Sequence, residues 1–144
     1  MKKDIQLLIV DDSLVIVARL FNLLTDQENI SGIYYAKAYE EAEVFFNKLV
    51  PDVILLDINL SLNGDGRNGI DLLRYLKQRN YPTKVIVVTN ESNPYYQELC
   101  ASLGADYFLD KSKDFEYIPG IISHLWKANV QIQPVQSMPM KSEL

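Results

Sequence analysis

Cysteine is almost absent from this chain. Cys100 stands alone, so no disulfide can close within it, and that usage fits a reducing compartment. Long apolar runs are missing as well: none approaches the roughly 20 residues that a bilayer-spanning helix needs. The start, Met1-Lys2-Lys3-Asp4, leads at once into a strand-like run with no small-residue cleavage site behind it, so no secretory signal is expected. These absences together predict a cytoplasmic location and no membrane association. Positive charge is also scarce. Fourteen Lys and Arg face nineteen Asp and Glu, a net charge of −5, and the basic residues are scattered. Non-specific affinity for nucleic acid comes from clustered Lys and Arg neutralising phosphates, so the balance predicts no direct nucleic-acid binding. Internal repeats and low-complexity tracts are absent too.

What is present is an alternation of short apolar runs with helix-period segments, spread over 144 residues that are 48% apolar and 23% charged. That length suits one domain with a real core, and the alternation is the sequence form of βα units over a parallel sheet. Ile5–Val10 reads as the first strand, nearly continuous in apolar residues and therefore buried on both faces. Ser13 is placed to cap a helix running to about Asp26, with Leu14, Val17, Leu20, Phe21 and Leu24 on one face. Ile33–Ala36 is a short second strand at an edge, Tyr39–Leu49 a helix, Asp52–Asp57 the third strand and Ile70–Gln78 the third helix. Lys84–Val88 makes the fourth strand. Asn93 then caps a helix with Pro94 at its first position, and Gly104 ends it. Asp106–Leu109 is the fifth strand, and Pro119 opens a helix reaching Ala128. From Asn129 the chain is polar, holds Pro134 and Pro139 and loses periodicity. The expectation is one domain over residues 1–129 and a flexible tail over 130–144, with no output domain.

Polar residues stand at the C-terminal ends of four of these runs. Asp11 and Asp12 follow the first, Asp57 the third, Thr89 the fourth and Lys111 the fifth. In an open parallel sheet those ends line one crevice, where ligands bind. Singly, each residue has an ordinary explanation as a turn, a cap or a solvated charge; together they form a complementary set. Clustered carboxylates repel one another unless a cation sits between them. Mg²⁺ typically takes one or two carboxylates plus waters and a phosphate, and a carboxylate is also a competent nucleophile toward phosphorus. A divalent cation and a phosphoryl group are what such a crevice would hold.

At these residues the chain resembles the receiver domain of two-component response regulators, from about Ile5 to Ala128. The matching stretches are Leu8-Ile9-Val10-Asp11-Asp12-Ser13, Pro51-Asp52-Val53-Ile54-Leu55-Leu56-Asp57, Val88-Thr89 and Gly104-Ala105-Asp106-Tyr107-Phe108-Leu109-Asp110-Lys111. The resemblance implies an α/β fold of the flavodoxin-like (βα)5 kind, a five-stranded parallel sheet with helices on both faces. It implies that Asp57 accepts a phosphoryl group. Asp12 would ligate Mg²⁺ directly, Asp11 mainly through water, and the backbone carbonyl of Asn59 would join Asp57 in completing the protein's share, with Mn²⁺ able to substitute. Lys111 would pair with a phosphoryl oxygen, Thr89 would turn toward it, and Phe108 would move inward on activation. The implied partners are a sensor histidine kinase or a histidine phosphotransfer protein and a downstream protein target. The implied assembly is a monomer or a weak phosphorylation-dependent dimer. On this reading the protein is a switch controlled through its helix 4–strand 5–helix 5 face. It is not an enzyme, although it assists its own Mg-dependent phosphorylation and dephosphorylation.

The sequence departs from the family pattern in places. Position 61 is Ser where a proline is usual, and the glycine heading the third helix is Gly69, so the loop Leu60–Asn68 is about four residues longer than the family's. Gating of the phosphodonor by that loop is one expectation, a tolerated surface insertion the other. Asn90 follows Thr89 where a small residue is usual, and Ser112 follows Lys111 where proline is common, leaving the peptide isomer open. Gly64-x-Gly66-x-x-Gly69 spells the dinucleotide fingerprint but does not follow the first strand. Oxygens from Asp57 to Asn63 hint at a calcium loop that lacks its closing glutamate. An aspartate-nucleophile phosphatase would need a second acid two residues past the first, which Val10-Asp11-Asp12-Ser13 does not supply. The rival reading from another class is a receiver-like protein-binding module that is never phosphorylated. His124 reads as a solvated or packing residue, Cys100 as a small buried hydrophobe. Trp126 and Tyr95-Tyr96 either seal the core or mark a partner surface.

Overall fold

The computed structural model describes residues 3–60 and 66–135. In chain order its elements are β1 (Ile5–Val10), α1 (Leu14–Leu24), β2 (Ile30–Ala36), α2 (Tyr39–Lys48), β3 (Val53–Leu56), α3 (Gly69–Gln78), β4 (Lys84–Thr89), α4 (Pro94–Ser102), β5 (Tyr107–Asp110), a 3₁₀ turn (Phe115–Tyr117) and α5 (Ile118–Val135). The strands form one parallel sheet in the order β2-β1-β3-β4-β5. The chain reverses its direction of travel across the sheet between β1 and β3, and that reversal opens a crevice at their C-terminal ends.

Alternation along each strand divides the apolar residues between two cores. Leu7, Ile9, Val53, Leu55, Ile86 and Val88 pack beneath α1 and α5 with Leu20, Leu24, Ile118 and Ile122. Leu8, Val10, Ile54, Leu56, Val85 and Val87 face the other way, against α2, α3 and α4 through Ala42, Phe46, Leu72, Leu73, Leu76 and Cys100. Helix starts follow local chemistry. The Ser13 hydroxyl accepts from Ile16 N–H at 3.4 Å, Asn68 and Asp71 form a reciprocal capping box, and Asn93 caps α4 with Pro94 at its first position. Gly104 leaves α4 at φ 98°, a conformation that favours glycine.

Two boundaries differ from the sequence expectation by three residues or more. β2 begins at Ile30, not Ile33, because Ile30 pairs with Ile5 across a register shift that puts Gly32 opposite Gln6. Only the partner strand recruits those residues. α5 continues to Val135, past the expected end at Ala128, since extending a formed helix costs less than nucleating one. The rest of the expected tail, residues 136–144, lies outside the described residues. No cis peptide bond occurs among the described residues, so Lys111–Ser112 is trans. None of the described helices is long and apolar enough to cross a membrane.

Cys100 is fully buried on α4, and that burial pushes its thiol upward. His124 is exposed, Trp126 packs at the margin of the α1/α5 core and Tyr96 at the margin of the other, while Tyr95 is 67% exposed.

Candidate functional site

Asp11 and Asp12 leave β1 side by side, and Asp57 leaves β3, the strand next to it. Asp57 N–H donates to the Val10 carbonyl at 2.9 Å, which fixes the two strand ends against each other. The result is a cluster in which Asp11, Asp12 and Asp57 each offer an oxygen within 4.8 Å of the others; Asp11 and Asp57 are buried and Asp12 is half-buried. Lys111, at the end of β5, reaches across β4 to it. Its Nζ lies 2.8 Å from Asp57 Oδ2 and 2.8 Å from Asp11 Oδ2, with all three side chains less than a tenth exposed.

The remaining carboxylate oxygens are held by backbone. Asp11 Oδ1 accepts from Ser13 N–H at 2.8 Å and Asp57 Oδ1 from Asn59 N–H at 3.1 Å. Burial pushes the Asp11 carboxyl above the usual carboxylate range, and its bonds to Lys111 and Ser13 only partly offset that. For Lys111 burial pulls the ammonium down, but the bonds to Asp11 and Asp57 outweigh it and its affinity for the proton rises. Lys111 is therefore a fixed cation here. Three carboxylates against one ammonium leave the crevice with an uncompensated charge of minus two. An oxygen-only donor set carrying that charge fits a hard divalent cation.

The structure brings Asp11, Asp12, Asp57 and Lys111 together. Thr89 ends β4 fully buried, with its hydroxyl accepting from Glu91 N–H at 3.1 Å and its carbonyl accepting from Lys111 N–H at 3.0 Å. Phe108, on β5 opposite Val87, is half-buried against the core under α2, α3 and α4. Asn59 is exposed, and its amide serves Asp57. Of the loop residues described, Leu60 is buried and the Arg67 guanidinium stacks on Tyr39 at 3.8 Å. The loop Leu60–Asn68, to which gating was assigned, includes residues 61–65, which lie outside the described residues, as does part of the dinucleotide-like glycine pattern.

Two sets of contacts at the site were not foreseen from the sequence. Gly69 N–H donates to the Ile58 carbonyl at 3.0 Å, and a Cβ on Gly69 would stand 2.2 Å from the Asp57 carbonyl oxygen. The glycine is needed for α3 to approach the acidic strand end this closely. The second is Asp110, whose carboxylate is held down to about 2 by hydroxyl bonds from Ser112 and Ser92 and by the Ser112 amide. A polar residue one position before Lys111 was the only signal in the sequence.

A doubly wound parallel sheet with three carboxylates and a lysine at its switch point defines a class of protein with an acidic crevice suited to a divalent cation. The chain belongs to the response regulator receiver domain family, whose model matches residues 7–123. It is 29% identical over 114 residues to the DNA-binding transcriptional activator EvgA of Escherichia coli (strain K12), a match covering 77% of this chain and 52% of EvgA. It is 34% identical over 101 residues to a protein-glutamate methylesterase/protein-glutamine glutaminase of Methanospirillum hungatei, covering 70% of this chain and 27% of that protein. The chain thus spans about half of the first relative and about a quarter of the second. In fold it is similar to the receiver domain of a Francisella response regulator, with a TM-score of 0.76 at 22% identity over 88% of this chain and 99% of that one.

One expectation is corrected by these relatives. The charge balance excluded nucleic acid as a partner, yet EvgA is a DNA-binding activator. The physical reason is that net charge speaks only for the residues counted, and the match leaves nearly half of EvgA, with its own surface charge, out of the count.

Proposed function

We propose that this protein is a phosphoryl-accepting signalling switch with Asp57 as the acceptor. The observation that carries the reading is the placement of Asp57 Oδ2 2.8 Å from Lys111 Nζ, inside a cluster whose other members are the carboxylates of Asp11 and Asp12. In this reading an Asp57 carboxylate oxygen attacks the phosphorus of a phosphohistidine donor. The new O–P bond forms as the N–P bond breaks, and the imidazole nitrogen departs with that bond's electron pair. Such transfer depends on positioning and charge neutralisation more than on covalent assistance. Asp57 is positioned by the hydrogen bond its N–H donates to the Val10 carbonyl and by the Asn59 N–H on Oδ1. Lys111 then exchanges its bond to Asp57 for one to a phosphoryl oxygen. Asp11, Asp12 and Asp57, with the backbone carbonyl of Asn59, would hold Mg²⁺, and when bound the ion supplies neutralisation of the phosphoryl charge.

Thr89 reads the product. For its hydroxyl to turn toward a phosphoryl group it must give up the Glu91 N–H, and in this reading Phe108, half-buried on the neighbouring strand, moves inward with that rotation. That is a shift between two populations biased by contacts only one of them makes. The protein turns over no separate substrate in this account. The test is intact-mass spectrometry after incubation with acetyl phosphate and Mg²⁺. One phosphoryl adduct, absent from Asp57→Asn, is the expected result; no adduct from acetyl phosphate or from a phosphohistidine donor would return the protein to the class of unphosphorylated binding modules.

A further inference from the structure

Thr89 and Asp110 are register partners in the β4–β5 ladder, and beyond them the two chains part into separate loops. One leads through Ser92 and the cap Asn93 into α4, the other through Lys111 and Ser112 to the 3₁₀ turn. A single side chain bridges them. Asp110 Oδ2 accepts from the Ser92 hydroxyl at 2.5 Å, while Oδ1 accepts from the Ser112 N–H at 2.7 Å and the Ser112 hydroxyl at 2.5 Å. The backbone is engaged as well: Asp110 N–H donates to Asp114 Oδ2 at 2.8 Å, and the Asp110 carbonyl accepts from the amides of Lys113 and Asp114. On the far side, the Ser92 carbonyl accepts from Gln97 Nε2, inside α4.

We propose that Asp110 is a positioning residue for Lys111 and the strut that couples the start of α4 to the lysine loop. Its consequence for phosphoryl transfer rests on the reading of Asp57 as acceptor; the strut itself does not. A lysine side chain is a flexible stem, so an ammonium can meet two carboxylates at once only if its backbone is held on both sides. Strand pairing with Thr89 holds it before, and the Asp110 carboxylate holds it after. Proline would restrict the backbone at position 112 by its ring; Ser112 has no such restriction, and two hydrogen bonds to one carboxylate oxygen take that part. The bond to Ser92 then makes the clamp a link. When Thr89 releases Glu91, the strand-to-α4 loop cannot move without pulling on the residue that precedes Lys111.

Amide hydrogen exchange by NMR on the unphosphorylated full chain decides the matter. Ser92→Ala should accelerate exchange of the Lys113 and Asp114 amides, on the opposite loop, by about tenfold, the scale of one hydrogen bond to a charged group. Asp110→Asn should do the same for Tyr96 and Gln97, while Ser92→Thr, which keeps the hydroxyl, should behave as wild type. Exchange confined to the substituted loop in each variant would overturn the strut. With acetyl phosphate and Mg²⁺, Ser92→Ala and Asp110→Asn should each slow adduct formation about fivefold, and the double variant should be no slower than the slower single one. Wild-type rates in all three would overturn the positioning role. A wild type that forms no adduct strikes at the acceptor reading alone, and amide exchange still upholds or overturns the strut by itself.

Discussion

Lys111 is the residue on which the charge balance of the crevice turns. Its ammonium is shared equally between Asp11 and Asp57 at 2.8 Å, and removing it leaves two buried carboxylates facing each other. Breaking a buried ion pair in this way costs several kcal/mol. Asp11 softens the loss, since burial already pushes its carboxyl upward and it can take up a proton. Lys111→Met should therefore lower metal-free stability by about 3 kcal/mol in urea titrations, with part of that recovered on adding Mg²⁺. Asp110 behaves in the opposite sense. Its folded value is depressed from 3.8 to about 2, so its contribution is complete above 3.8 and is lost as the pH falls through about 2. A carboxyl-carbon NMR titration should find that midpoint near 2 in the wild type and closer to 3.8 in Ser112→Ala.

At the scale of elements, α3 and α5 offer a contrast between two glycines. A Cβ at Gly69 would meet the Asp57 carbonyl oxygen at 2.2 Å and Ile58 Cα at 2.5 Å, whereas one at Gly120 would meet nothing within 4 Å. The atoms opposing Gly69 are backbone and cannot swing aside. Gly69→Ala should cost about 1–3 kcal/mol of stability by overpacking, and it should slow phosphorylation as well because the strand end that carries Asp57 must shift. Gly120→Ala lies in the first turns of α5 on an exposed face and should raise stability by about 0.5–1 kcal/mol through helix propensity. Thermal unfolding of the two variants side by side checks both signs. A Gly69→Ala protein that unfolds and reacts as wild type would show that α3 does not press on the acidic strand.

For the molecule as a whole, the two cores meet across a sheet whose five strands are all engaged, and the crevice lies at one end of it. Among the α5 side chains described, which run to Ala128, those packed in the core under α1 and α5 are Ile118, Ile121, Ile122, Leu125 and Trp126. We propose that residues 1–129 are the folding unit. A chain cut after Asn129 should keep cooperative unfolding with a stability change within about 1 kcal/mol. Mg²⁺ at a hundredfold excess over its dissociation constant should stabilise the wild type by about 2.7 kcal/mol. Asp12→Asn, which removes the half-buried carboxylate without touching the Lys111 pairs, should abolish most of that gain.

Strand identity, the caps at Ser13 and Asn93 and the candidacy of Asp11, Asp12, Asp57, Thr89 and Lys111 were legible in the sequence. Each depends on a local property: the length of an apolar run, its period, or the residue that ends it. The start of β2 was not legible, because Ile30 and Gly32 become strand only when β1 lies beside them. Nor were the double engagement of Lys111 and the Asp110 bridge. Lys111 meets Asp57 across 54 residues of chain and Ser92 meets Asp110 across 18, and no local pattern encodes which polar groups will find each other over such distances. The amino-acid sequence determined by itself which groups stand at the strand ends. Only the tertiary structure decided which oxygen faces which ammonium, because that follows from strand order and helix packing, where contacts between distant residues outweigh local preference.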